Sequence, residues 1–236
     1  MAQARGFFER ALVLDPQNVE ALVGMANVDA DSAGGFRTDD RGARLAVAEM
    51  TVLKALSMAP QHAMAHMQLG FIQIQTNRTA QGIAECERAL ALDPNLAGAH
   101  AWVGLAKICM SRGEETEAHI IEALRLSPRD TGAFRWMGIV GVAKLHLSAD
   151  AEAVPWLRQS IEANRSASLV HFWLAASLAL LGQVDQARPA AQAGLALDPD
   201  FTIRRFRFGS SSDNPTYLAG RARICEGLRL AGIPEG

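Results

Sequence analysis

"RALALDPN", Arg88–Asn95, returns as "AGLALDPD" at Ala193–Asp200 and has already appeared as "RALVLDPQ" at Arg10–Gln17. Each copy carries Leu-Asp-Pro. Proline cannot continue a helix, and it pushes the residue before it out of the helical region. The phrase therefore reads as the last turn of a helix and its stop. The prolines Pro16, Pro60, Pro94, Pro128 and Pro199 set a ruler, with gaps of 44, 34, 34 and 71 residues. The last gap divides into 37 and 34 if Arg165, in "SIEANRSA", stands where a proline stood before. A period near 34 residues that holds two helical segments predicts a solenoid of stacked helix pairs.

The unit from Ala63 to Leu96 is the clearest. "AMAHMQLGFIQIQT" forms a first helix, Asn77–Arg78 a turn, "AQGIAECERALAL" a second helix, and Asp93–Pro94 ends it. Small residues, Gly70, Gly82 and Ala89, fall where two helices must approach closely, and Leu69 and Leu90 fill the space between. The unit from Ser168 to Phe201 repeats the scheme with Leu174, Ala175, Gly182, Ala187, Leu195 and Pro199.

This pattern resembles the tetratricopeptide repeat, over most of the chain. The resemblance implies an all-α superhelix of antiparallel helix pairs. Departures exist: the usual first-helix Trp is His66, His100, Phe134 or His171. The unit after Pro94 lengthens its first helix or turn and shortens its second helix, and extra residues enter near His146–Ala149. The expected organisation is an orphan second helix over 1–17, about five repeats over 18–201 and capping helices over 202–236.

Composition agrees with helices: 49% of residues are hydrophobic and the single Tyr leaves little strand-type material. A formal charge of −2 argues against a broad electrostatic surface for nucleic acid or anionic membrane. No apolar run is long enough to span a membrane, and "MAQARGFFER" has no signal-peptide core. Cys86, Cys109 and Cys225 are far apart, as expected of reduced thiols in the cytoplasm rather than a disulfide framework or a zinc site.

Three stretches fall outside the repeat. "QARGFFERALVLDP" reads as a second helix without its first, so Phe7, Phe8 and Leu12 lack cover; the expectation is a fragment of a longer protein or an edge covered by a partner. Ala30–Gly42, "ADSAGGFRTDDRG", accounts for the 44-residue gap and reads as a solvated loop. Its Asp29, Asp31, Gly34 and Asp40 partly follow a calcium-loop spacing, but Ala33 and Arg37 occupy ligand positions. The tail holds a helix opening at Pro215 after a capping Asp213 or Asn214, with Arg221, Arg223, Glu226 and Arg229 as a polar outer face. Arg204, Arg205 and Arg207 form a basic cluster near Asp198, Asp200 and Asp213, read as a solvated face.

This tail, with "EALRLSPRD" and "SDNPTYLA", resembles the C-terminal repeat region of class III adenylate/guanylate cyclases of rhizobial type. That resemblance implies a regulatory or assembly role beside a catalytic domain; a DNA-binding regulator with the same kind of repeat region, or a self-associating module, is the alternative.

No motif for catalysis emerges: Ser, Cys and Lys do not meet His and acid in a nucleophile pattern, and "SAGGF" lacks the lysine of a phosphate loop. Glu114, Glu115 and Glu117 open a helix, where acids suit the dipole. His66, His100 and His171 share a repeat position, but neighbouring helices stand about 10 Å apart, too far to share an ion. The expectation is a non-enzyme without cofactor or metal. In tetratricopeptide repeats, fixed first-helix positions line a concave groove. Carried over, these are Met64, Met67, Phe71 and Ile74; Ala101, Leu105 and Ile108; Arg135, Ile139 and Val142; and Leu169 and Phe172. Such an apolar groove suits a peptide or helix, from a protein partner, the parent's catalytic domain or a second copy. The rival expectation is that part of this set only packs internally or on the C-terminal helix.

Overall fold

The computed structural model describes residues 2–36 and 40–236. Among them it is all-helical. Helix α1, Ala2–Leu14, packs on α2, Val19–Gly34. Five helix pairs follow the chain from α2: α2 with α3 (Arg41–Met58), α4 (Ala63–Gln75) with α5 (Thr79–Leu92), α6 (Ala97–Cys109) with α7 (Thr116–Leu126), α8 (Ala133–His146) with α9 (Asp150–Ala163), and α10 (Ser168–Leu180) with α11 (Val184–Leu197). A short α12, Ile203–Phe208, and a long α13, Pro215–Leu230, complete the chain. Helix α7 opens on a 3-10 turn, Gly113–Glu115, which accounts for its reduced length.

First helices pack on each other in sequence, α2 on α4, α4 on α6, α6 on α8 and α8 on α10, while each second helix packs on its own first helix and on the next one. The first helices therefore form one inner layer and the second helices an outer one. Within a pair the glycines set the distance. A Cβ at Gly82 would lie 2.6 Å from the Gly70 carbonyl oxygen, and one at Gly70 would lie 2.7 Å from that of Gly82. Around this contact Ala65, Ile72, Cys86 and Ala89 are fully buried. Burial pushes the Cys86 and Cys109 thiols up to about 12, so neither forms a thiolate at neutral pH.

The turns inside the pairs share one device. Phe36, Asn77, Ser111, Ser148 and Gly182 all have φ between 56° and 75°. One left-handed residue ends each first helix and reverses the chain. Only Gly182 adopts that conformation without a Cβ penalty.

Two stretches differ from expectation. The predicted loop 30–42 is helical through Gly34, because its acids are neutralised on the helix: Asp29 pairs with Arg5 at 2.6 Å and Arg44 at 2.8 Å, and Asp31 pairs with Arg135 at 2.5 Å. The calcium-like spacing is thus two ion-paired helix positions. Arg37, the ninth position of that spacing, lies outside the described residues. In the tail, Asn214 caps α13 as read, accepting from the N–H of Thr216 at 2.9 Å. The polar outer face is only half present. Arg221 is buried and Arg223 forms a bidentate pair with buried Asp150, so Glu226 and Arg229 alone remain outside. Arg204 and Arg207 of the basic cluster are exposed, where Arg207 pairs with Glu235 at 2.6 Å and Arg204 stands over Phe208.

Candidate functional site

The inner layer curves enough to bring α2 and α8 together across its hollow side, where Arg135 meets Asp31 at 2.5 Å. The C-terminal segment closes the same hollow. Helix α13 packs on α10 and α8, and residues 209–214 run back along the ends of α4 and α6. Ser211 Oγ donates to Gln75 Oε1 at 2.7 Å, Ser212 Oγ donates to the Cys109 carbonyl at 2.8 Å, and Ser111 Oγ donates to Asn214 Oδ1 at 2.8 Å. Phe206 of α12 reaches Phe36 with ring centroids 5.3 Å apart. Residues 170 positions apart, Phe36 and Phe206, thus seal one side.

What remains is a chamber of about 180 Å³. Its walls hold seven of the chain's fourteen Phe, Trp and Tyr residues: Phe71, Trp102, Phe134 and Trp173 from the solenoid, and Phe36, Phe206 and Tyr217 from the closing segments. Phe71 and Trp102 are in ring contact at 4.4 Å. Buried Arg221 lines the chamber, lies over the Phe206 ring at 3.9 Å and donates to the Phe206 carbonyl. Arg41 stands just behind the wall. It donates to Gln75 Oε1 at 2.5 Å and Ser211 Oγ at 3.0 Å, and its Nε has no acceptor.

Seven of the twelve residues assigned to the groove line this chamber: Phe71, Leu105, Ile108, Arg135, Ile139, Val142 and Leu169. The other five do not. Met64 is 40% exposed at the start of α4. Met67 packs under Gly98 of the next pair, and Ile74 packs on Gly82 of its own. Ala101 is fully buried, and Phe172 stacks on Phe201 at 3.9 Å in the core between α10 and α11. Sequence reasoning missed Trp102 and Trp173. A signal existed: Trp102, Trp136 and Trp173 occupy one repeat position once the three-residue insertion is counted. It also missed His146, Tyr217 and Arg221, which only the fold of the tail brings in.

The histidines at the shared repeat position have separate partners. His66 contacts Glu85 at 2.6 Å and the Pro60 carbonyl at 2.9 Å, and His171 contacts the Arg165 carbonyl at 3.1 Å. No group of three metal-ligating side chains occurs among the described residues. Helix-opening Glu115 pairs with Lys107, and Glu117 with Lys144, each at 2.9 Å.

His146 stacks on Tyr217 at 4.9 Å in the chamber wall. Burial, reinforced by the Arg221 charge, pulls its imidazole down to about 4. An unfolded histidine titrates near 6.5, so between those values the unfolded chain holds the extra proton and stability falls as pH drops, levelling off below about 4. Going from pH 7 to 5 is expected to cost about 2 kcal/mol through this residue. Urea midpoints of wild type and His146→Gln at both pH values check it: the variant should lose less, and equal losses would contradict a neutral buried His146.

The architecture is an all-α solenoid of helix pairs closed by its own C-terminal helices. Within it, the family model described as tetratricopeptide repeat matches residues 64–96. Solved structures of the same architecture agree. The Cut9–Hcn1 hetero-tetramer of the APC/C superposes with a TM-score of 0.68 at 18% identity over 85% of this chain, which spans 37% of that one. TTC0263, a thermophilic tetratricopeptide protein of Thermus thermophilus, gives 0.60 at 18% identity over 79% of this chain and 92% of that one. PilF of Pseudomonas aeruginosa gives 0.58 at 19% identity over 88% of this chain and 87% of that one. No curated protein matches the sequence. Among the described residues, no helix is long and apolar enough to cross a membrane.

Proposed function

We propose that the chain is a cytoplasmic, non-catalytic scaffold that takes a peptide or helix of a protein partner along its inner layer, as the regulatory or assembly part of a larger bacterial signalling protein such as an adenylate cyclase. A tetratricopeptide fold is a protein-interaction scaffold. The observation that carries the placement is the apolar wall built by successive first helices, from Phe71 through Leu105 and Ile139 to Leu169. Aliphatic and aromatic anchors at helical spacing suit an amphipathic helix. The C-terminal segment already fills one end of this trough, so a partner reaches it from the side where Met64 is exposed. The cyclase context rests on the likeness of the tail sequence.

Photo-crosslinking in the cells of origin tests the placement. A crosslinking residue at Met64 or Leu169 on the inner layer should trap a partner, and one at exposed Gln192 on the outer layer should not. A trapped cyclase supports the whole reading, and a trapped second copy supports the self-associating alternative. Products from Gln192 alone would overturn the concave placement.

A further inference from the structure

The closed end of the hollow contains a charge imbalance that a protein scaffold does not need. Arg221 is 7% exposed, donates to the neutral Phe206 carbonyl and lies over the Phe206, Tyr217 and Phe36 rings. Arg41 bonds to an amide oxygen, a main-chain carbonyl and a hydroxyl. Among the described residues neither guanidinium has a carboxylate in ion-pair contact, whereas Arg135 and Arg223 each have one. Burying a charge without a counter-charge is costly, and such groups are normally paired. Burial, and with it the Arg221 charge, brings the Arg41 guanidinium down to about 10, still cationic at neutral pH. Two further donors are unmet: the indole N–H groups of Trp102 and Trp173, both on chamber-lining residues, have no acceptor.

Arg221 borders, and Arg41 stands behind, a space of limited size. At about 180 Å³ it is slightly larger than the roughly 150 Å³ apolar cavity known to take a benzene ring, so a body of one or two fused rings fits. We propose that the chamber is a binding site for a small organic anion: a carboxylate on a planar apolar body, with the ring against the Phe71–Trp102 pair and Trp173 and the carboxylate at Arg221. A guanidinium binds a carboxylate through two parallel N–H bonds, and flat aromatic walls favour a flat ring. Arg41 adds its charge from behind the wall through the Gln75–Ser211 pair that both segments share. The ligand would bridge solenoid and tail, so its binding would hold the closing segment in place.

The test uses the purified chain, 1-naphthoate and its neutral isostere 1-naphthamide, followed by calorimetry and tryptophan fluorescence. The acid should bind one to one, raise the melting temperature and bind about tenfold or more tightly than the amide. This comparison needs no variant, so a misfolded mutant cannot blur it. Arg221→Met should erase the acid's advantage, and Leu105→Trp, which fills the chamber from a half-buried position, should abolish binding of both. The proposal is overturned if neither compound binds the folded chain, if amide and acid bind wild type equally, or if Leu105→Trp leaves binding intact. No protein partner is present in the titration, so its failure and that of the scaffold reading are separate results.

Discussion

Gly82→Val is expected to destabilise the chain by about 3 kcal/mol or more, the upper end of what overpacking costs. The reason is that the obstacle is main chain. A Cβ at this position would lie 2.6 Å from the Gly70 carbonyl oxygen and 3.0 Å from the Ile74 nitrogen, and neither can swing aside as a side chain would. Helices α4 and α5 must separate to admit it. That exposes fully buried Ile74, Cys86 and Ala89, and the neighbouring pair α6–α7 loses the surface on which α6 packs. In a solenoid, where each unit is stabilised chiefly by its neighbours, damage at one pair spreads to the next. Gly6→Ala is the control. Gly6 also lies inside a helix, but its Cβ would meet nothing within 4 Å, so the substitution should stabilise by up to about 1 kcal/mol. Urea unfolding followed by circular dichroism compares the two. A Gly82→Val midpoint equal to wild type would mean that α4 and α5 do not approach as closely as described.

The same contact explains why the fold was legible. Leu-Asp-Pro stops and small residues at fixed spacing encode helix ends and close helix approach, both of which are local or depend on one neighbour. The inner wall is harder to read. Ten of the thirteen residues of α4 are buried, because a first helix touches its own second helix, the preceding pair and the next one. A helix buried around most of its circumference, with His66, Gln68 and Gln75 among its buried residues, gives no stripe from which to read direction. The sequence therefore points Met67, Ile74, Ala101 and Phe172 at a groove that they do not line, while Trp102 and Trp173 escape it. The tail was misread for a different reason. Arg221 and Arg223 look like free surface residues by type, and only the return of the chain buries Arg221 beside Phe36 and pairs Arg223 with Asp150. Contacts made across 185 and 73 positions leave no spacing in the sequence. In α2, Asp29, Asp31 and the Gly34–Gly35 pair suggest a loop, and distant arginines turn the acids into helix residues.

Phe172 makes the distinction between groove and core measurable. It is fully buried, its ring lies parallel to Phe201 at 3.9 Å, and a Cβ on Gly194 would fall 2.5 Å from it. Leu169, three residues earlier on the same helix, is half-buried and borders the chamber. If Phe172 were a groove residue, truncating either should cost a similar, small amount. In the core position, Phe172→Ala should cost about 3–5 kcal/mol, because the rings around it cannot collapse into the void, while Leu169→Ala should cost clearly less. The effect should also reach the tail. Phe201 stands 6.5 Å from Phe206, and Phe206 stands 5.3 Å from Phe36, so one line of rings runs from the last repeat pair to the first. Removing its inner end loosens α12 and with it the segment at Ser211 that closes the chamber. Hydrogen exchange should therefore accelerate over residues 202–214 in Phe172→Ala and stay near wild type in Leu169→Ala. Equal protection of the tail in both variants would show that the closing segment is held by its serine hydrogen bonds and Arg41 alone, without the aromatic line.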